Sequence, residues 1–263
     1  MKHILVPIGS TETAQTTLQY AIDFASEINA DVSVFRAYKA KSKAGSMVNM
    51  TAIIERETNL YLRTMVNSVD RKNVDVKLIS SKGSVIESVE AIDKKIGIDL
   101  IIVGAKSNSF KESTFLGSTA GGLVKLTNIA ILAVPENYIY IPIKSVLVAF
   151  KSGIINRSTA LNPLKLIVKK FNSKVNSLLV KTPNFTEKDG EINEGLTALQ
   201  TSLTTTENAT TFQGVLEHFK TQNPDMLCVF KRKRGFFKKL WEKNIILKKE
   251  FFAPIPLLIL KGE

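Results

Sequence analysis

The chain is one pattern written twice, and that self-similarity limits its fold more than any other feature of the sequence. Shifting the run Asp99–Gly104 (DLIIVG) by 126 positions lands on Asp225–Phe230 (DMLCVF), aspartate over aspartate. The same shift carries Ile129–Val134 (IAILAV) onto Ile255–Leu260 (IPLLIL) without a gap. The opening runs, Ile4–Gly9 and Val146–Lys151, align instead at a shift of 142, so the second copy is 16 residues shorter in its middle. A single large domain does not produce such a match by chance.

Within each copy, apolar strand-like runs alternate with helix-like stretches. HILVPI reads as a buried strand ended by Gly9. Leu18, Ala21, Ile22, Ala25 and Ile28 then fall at helical spacing. DVSVFRAY is a second strand, roughly Ser46 to Val69 a long helix, and VDVKLIS a third strand. A helix from about Val85 to Lys95 leads into DLIIVG, and a short helix near Gly117 precedes IAILAV. In the second copy KSVLVAF, NSLLVK, DMLCVF and IPLLIL take the corresponding strand places. The stretch from Thr182 to Thr211 reads as one helix, one short strand and a loop. Strands separated by helices of this length pair in parallel through right-handed crossovers, with helices on both faces. The expected fold is α/β: two tandem doubly wound domains with mostly parallel five-stranded sheets of Rossmann-like kind. They span 1–137 and 141–263, with a short linker at Glu136-Asn137-Tyr138-Ile139-Tyr140. The closing strands of the two copies carry free edges that invite pairing.

Composition narrows the function classes. No run of about 18 apolar residues suggests a membrane span, and MKHILVPIGSTE lacks the long apolar core and cleavage site of a signal peptide. A cytoplasmic protein is expected. The one cysteine, Cys228, sits in an apolar strand run and reads as a small buried hydrophobe. His3 and His218 are the only histidines, and neither has triad or metal spacing. There is no nucleophile elbow, HExxH, CxxC or Gly-Lys-Thr loop. A binding or regulatory role is expected in place of catalysis.

The informative stretch follows the fourth strand. GAKSNSFKESTFLGSTAGG opens at Gly104 and returns to a helix at Gly117-Ser118-Thr119. Glycine lets main chain approach a phosphate, and the N–H groups and hydroxyls at a helix start point toward it. The same glycines also suit a plain turn and close helix–sheet packing. Gly104-x2-Ser107-x9-Gly117-Ser118 resembles the Gly-x2-Gly-x9-Gly-Ser/Thr loop of the ATP-binding universal stress proteins. Val6-Pro7-Ile8-Gly9-Ser10-Thr11-Glu12 is similar to that family's VPxDxSE opening. The chain resembles the tandem, UspA-like type over essentially its whole length. The resemblance implies an adenine-nucleotide-hydrolase-like fold and a stress-response regulator binding ATP, with Mg²⁺, in the first copy. It places adenine near Pro7, Ile8 and Ala37, and the triphosphate along Val103, Gly104, Ser107, Gly117, Ser118 and Thr119. It further implies docked domains and a homodimer. Two positions depart from the pattern. Ser107 adds a Cβ where the family has glycine, and Gly9 stands where the family has an aspartate that meets the nucleotide. One lost polar contact costs about 1–3 kcal/mol. The second copy has lost the motif: Phe230, Lys233, Lys243 and Asn244 occupy the loop positions, and Lys151 the opening acidic one.

Charge supplies a rival reading. The formal net charge is +12; residues 1–137 carry 16 basic and 14 acidic side chains, residues 138–263 carry 20 and 10. Lys231-Arg232-Lys233-Arg234, followed by Phe236, Phe237 and Trp241 among further lysines, mixes cations and aromatics as RNA or another polyanion requires, or a membrane surface. A nucleotide-free interaction module is the alternative. Equally, those aromatics pin a loop to the sheet while the lysines face water.

Overall fold

The computed structural model describes residues 1–10, 13–39, 50–105, 114–232, 246–247 and 253–262. The chain divides into two compact units, Met1–Gly104 with Glu136–Tyr140, and Ala105–Pro135 with Ile141–Glu263.

The first unit runs β1 (His3–Pro7), α1 (Ala14–Ile28), β2 (Asp31–Tyr38), α2 (Met50–Asn67), β3 (Val76–Lys82), α3 (Val85–Ile96) and β4 (Leu100–Gly104). Its strands lie in the order β3-β2-β1-β4 and pair in parallel, His3 opposite Asp31 and Ile4 opposite Leu100. Ile4, Leu5 and Val6 are all fully buried. Both faces of β1 are therefore covered, which is why it reads as an unbroken apolar run. In α1 the periodic residues Leu18, Ala21, Ile22, Ala25 and Ile28 are buried as a stripe. That helix stops at Asn29, whose left-handed φ of 53° an asparagine tolerates and whose N–H returns to the Ala25 carbonyl. Ser84 caps α3 by accepting the Glu87 N–H. The expected start of α2 near Ser46 lies outside the described residues. Glu136–Tyr140 is no free tether: the Tyr140 ring stands edge-on to Tyr20 at 5.5 Å and 6.3 Å from Phe24. Burial pushes the Tyr20 phenol well above its ordinary pKa.

The second unit holds β5 (Thr114–Leu116), α4 (Ser118–Leu126), β6 (Ala130–Val134), β7 (Ser145–Phe150), α5 (Asn162–Phe171), β8 (Lys174–Lys181), α6 (Glu194–Thr197), β9 (Ser202–Glu207), α7 (Thr211–Gln222), β10 (Met226–Lys231), β11 (Ile246–Leu247) and β12 (Leu257–Lys261). Its sheet order is β6-β12-β10-β7-β8-β9. The parallel set β9-β8-β7-β10 repeats β3-β2-β1-β4 strand for strand. The closing strands of the two copies pair with each other, antiparallel, with Leu257 opposite Ala133 and Ile259 opposite Ile131. Between Thr182 and Thr211 the structure has a 3₁₀ turn at Glu187–Gly190, then α6 and β9. The β5–β11 ribbon, Ile246 opposite Leu116, was not expected. Strands this short carry no periodicity to read.

Candidate functional site

In a doubly wound sheet the crevice opens outside the carboxyl ends of strands where crossover direction reverses. In the first unit that point lies between β1 and β4. Pro7, half-buried, ends β1; Ile8 follows, 6% exposed, its N–H donating to the Phe35 carbonyl at 2.8 Å. Ala37 sits near the end of β2, and Val103 and Gly104 close β4. The parallel register therefore gathers Pro7, Ile8, Ala37, Val103 and Gly104 at one end of the sheet.

Their glycines differ in what they are for. A Cβ built on Gly104 would lie 2.9 Å from Thr17 Oγ1, so bare main chain is needed there to let α1 approach β4. A Cβ on Gly9 would meet no heavy atom of the described residues within 4 Å.

Around that strand end stand side chains that neither sequence motif includes. Arg36 Nη2 donates to Ser10 Oγ at 2.9 Å, and the guanidinium lies 4.0 Å above the Tyr61 ring. The Tyr61 hydroxyl donates to the Gly9 carbonyl at 2.8 Å. The available signal was a cation inside an otherwise apolar strand, VFRAY, at the end that binds ligands.

The other loop residues belong to the second unit. Gly117 is buried and extended (φ −75°, ψ 176°) as the residue preceding α4. Ser118 and Thr119 are exposed in the first turn, where leading N–H groups have no intrahelical acceptor. Ser107 lies outside the described residues. Among the described residues no cluster of three or more His, Cys, Asp or Glu side chains has metal-binding geometry.

In the second copy the matching hollow is filled by its own chain. Gly153, two residues beyond the position that matches Gly9, runs under the segment that follows β8. Its N–H donates to the Asp189 carbonyl at 2.8 Å, and its carbonyl accepts the Asn193 N–H at 3.0 Å. A Cβ on Gly153 would fall 2.6 Å from Ile192 Cα. Phe230, 4% exposed and next to last in β10, packs against Phe150 with ring centroids 6.4 Å apart. Burial would raise the Asp189 carboxyl. Hydrogen bonds from the Thr186 hydroxyl and N–H outweigh that and hold it below its ordinary value.

The basic run also begins differently from its expected exposure. Lys231 Nζ donates to the Thr127 carbonyl at 3.0 Å. Arg232 Nη2 donates to the carbonyls of Ser152, at 3.1 Å, and Ile154. Both cations are half-buried and satisfy main-chain acceptors. Lys233, Arg234, the aromatics after them, Lys243 and Asn244 lie outside the described residues. Cys228 is fully buried, and burial pushes its thiol pKa up.

The repeated parallel topology defines a Rossmann-like α/β fold. The model of the universal stress protein family matches residues 1–135, just over half of the 263 residues, and the chain belongs to that family. Among solved structures it is similar to a universal stress protein from Archaeoglobus fulgidus DSM 4304, at 14% identity, covering 99% of this chain and 98% of that one, TM-score 0.71. It is also similar to a universal stress protein from Pseudomonas aeruginosa UCBPP-PA14, at 12% identity, covering 99% and 93%, TM-score 0.60. At these identities the likeness is one of fold. No curated protein sequence matches the chain. No described helix is long and apolar enough to cross a membrane.

Proposed function

We propose that the protein is a non-catalytic, stress-responsive regulator that binds an adenine nucleotide through its first copy alone. One contrast carries the reading. A Cβ on Gly9, just past β1, meets no described atom within 4 Å, whereas Glu191 and Ile192 lie against Gly153, two residues beyond the position that matches Gly9. The likeness of the loop from Gly104 to Ser118 to that of the ATP-binding members of the family supports the ligand class. Pro7, Ile8 and Ala37 are assigned to the base, and Val103, Gly104, Ser107, Gly117, Ser118 and Thr119 to the phosphates, with Mg²⁺ entering on the triphosphate. Gly104 serves helix packing as well, because Thr17 leaves no room for a side chain.

Calorimetric titration of the full chain with ATP and Mg²⁺ tests this. One nucleotide per chain is expected for the wild type, and a loss of about tenfold or more for Gly117→Val, whose side chain would stand where the proposed phosphate approaches the start of α4. Equal affinities would remove Gly117 from the site. A stoichiometry of two would overturn the restriction to the first copy. Light scattering with and without ATP tests the accompanying expectation of a homodimer.

A further inference from the structure

Arg36 is held more firmly than a surface cation needs to be, and not all of its donors are used. One amino group is fixed by Ser10 and its face is stacked on Tyr61, whose own hydroxyl is tied to the Gly9 carbonyl. The other amino group, Nη1, is shut off from solvent and has no hydrogen-bond partner among the described residues. Among the described residues no carboxylate pairs with the guanidinium. A desolvated N–H without an acceptor is costly, and a desolvated cation more so. Such an arrangement persists where an acceptor arrives from outside the chain. The planar fork of arginine, one prong already anchored, is preorganised for an oxyanion. Beside it, a Cβ added to Gly9 at the strand end meets nothing within 4 Å among the described residues.

We propose that Arg36 is an anion anchor, taking a phosphate oxygen through Nη1 at the carboxyl ends of β1 and β2. The identity of the ligand rests on the nucleotide reading above; the anion contact does not. The phosphate is either free or borne by a nucleotide, and the two sources separate experimentally.

The full chain, labelled with ¹⁵N at arginine, is titrated with inorganic phosphate, adenosine, AMP and ATP, following the Arg36 Nε–H signal; affinities are measured for wild type, Arg36→Lys and Arg36→Met. The expected result is a saturable shift of that signal by a phosphate-bearing probe and none by adenosine. Arg36→Met should weaken that probe about tenfold or more and leave adenosine within about twofold, with Arg36→Lys between. If inorganic phosphate moves the signal while no adenine compound binds, the anchor stands and the nucleotide reading falls. If ATP binds while the Arg36 signal stays still and Arg36→Met binds it as well as wild type, the nucleotide reading stands and the anchor falls. Equal losses for adenosine and AMP in Arg36→Met would make Arg36 a packing residue and overturn the proposal. A signal unmoved by every probe would mean that no anion reaches Nη1, which overturns it as well. The wild-type signal decides the matter even if Arg36→Met fails to fold.

Discussion

The carboxylate of Asp225 stands to Lys144 and Ser145 as that of Asp99 stands to Lys2 and His3. Asp99 Oδ2 accepts the backbone N–H groups of Lys2 at 2.6 Å and His3 at 3.1 Å. Asp225 Oδ2 accepts those of Lys144 and Ser145, each at 2.8 Å. In both copies, the aspartate entering the fourth strand also donates its own N–H to the first, to His3 at 3.0 Å and to Ser145 at 2.9 Å. The duplication thus extends to a specific clamp, which ties two N–H groups at the start of the copy's first strand to the aspartate entering its fourth, 96–97 residues away in the first copy and 80–81 in the second.

Each clamp is expected to stabilise its own copy. Asp99→Ala and Asp225→Ala should each cost about 1–2 kcal/mol, since two N–H groups lose a charged acceptor at a wet sheet end. Asparagine in either place should recover part of it. Urea-unfolding midpoints measure both; unchanged midpoints would show that water replaces the carboxylate at no cost.

Gly104 and Thr17 should be energetically coupled. Gly104→Ala drives a methyl to about 2.9 Å from Thr17 Oγ1 and should destabilise by about 1–3 kcal/mol. Thr17→Ala removes the clashing oxygen. In a double-mutant cycle the pair should therefore be less damaging than the sum of its members, and strict additivity would sink this account of the glycine.

Gly9 and Gly153 should respond oppositely to alanine. Gly153→Ala forces a methyl against backbone, 2.6 Å from Ile192 Cα and 2.7 Å from the Glu191 carbonyl oxygen. Backbone cannot swing aside as a side chain can, so a loss of about 1–3 kcal/mol is expected. Gly9→Ala meets no described atom within 4 Å and should leave the thermal midpoint within about a degree or two. Similar losses at both would mean that chain also lies against Gly9 in solution.

Asp189 should contribute to the acid limb of stability. Its carboxyl titrates below its ordinary value in the folded chain because Thr186 donates to it. A depressed folded-state pKa gives stability that is fully present above the unfolded value of about 4 and declines as pH falls through the folded one. Asp189→Asn should narrow the difference between urea midpoints measured at pH 7 and pH 3. An unchanged difference would assign the acid limb to other carboxylates.

Legibility in the sequence followed the length scale of each interaction. Strands covered on both faces are unbroken apolar runs, and α1 carries its buried stripe at helical spacing, so both could be read directly. The aspartate clamps were visible only as a coincidence in the alignment of the copies. The β5–β11 ribbon left no trace, because residues 116 and 246 are joined by tertiary structure alone. Of the candidate site, the strand-end residues were legible from a motif. Arg36 and Tyr61, on different elements, were not.

By itself, then, the sequence determined that this chain folds as a repeated α/β unit, because backbone hydrogen bonding and burial act on local periodicity that any copy must show. Only the tertiary structure decided where a distant segment of the chain rests on a strand end. Ile192 comes to rest on Gly153, and nothing described does on Gly9. Steric exclusion between segments far apart in the chain has no signature in the spacing of residues along it.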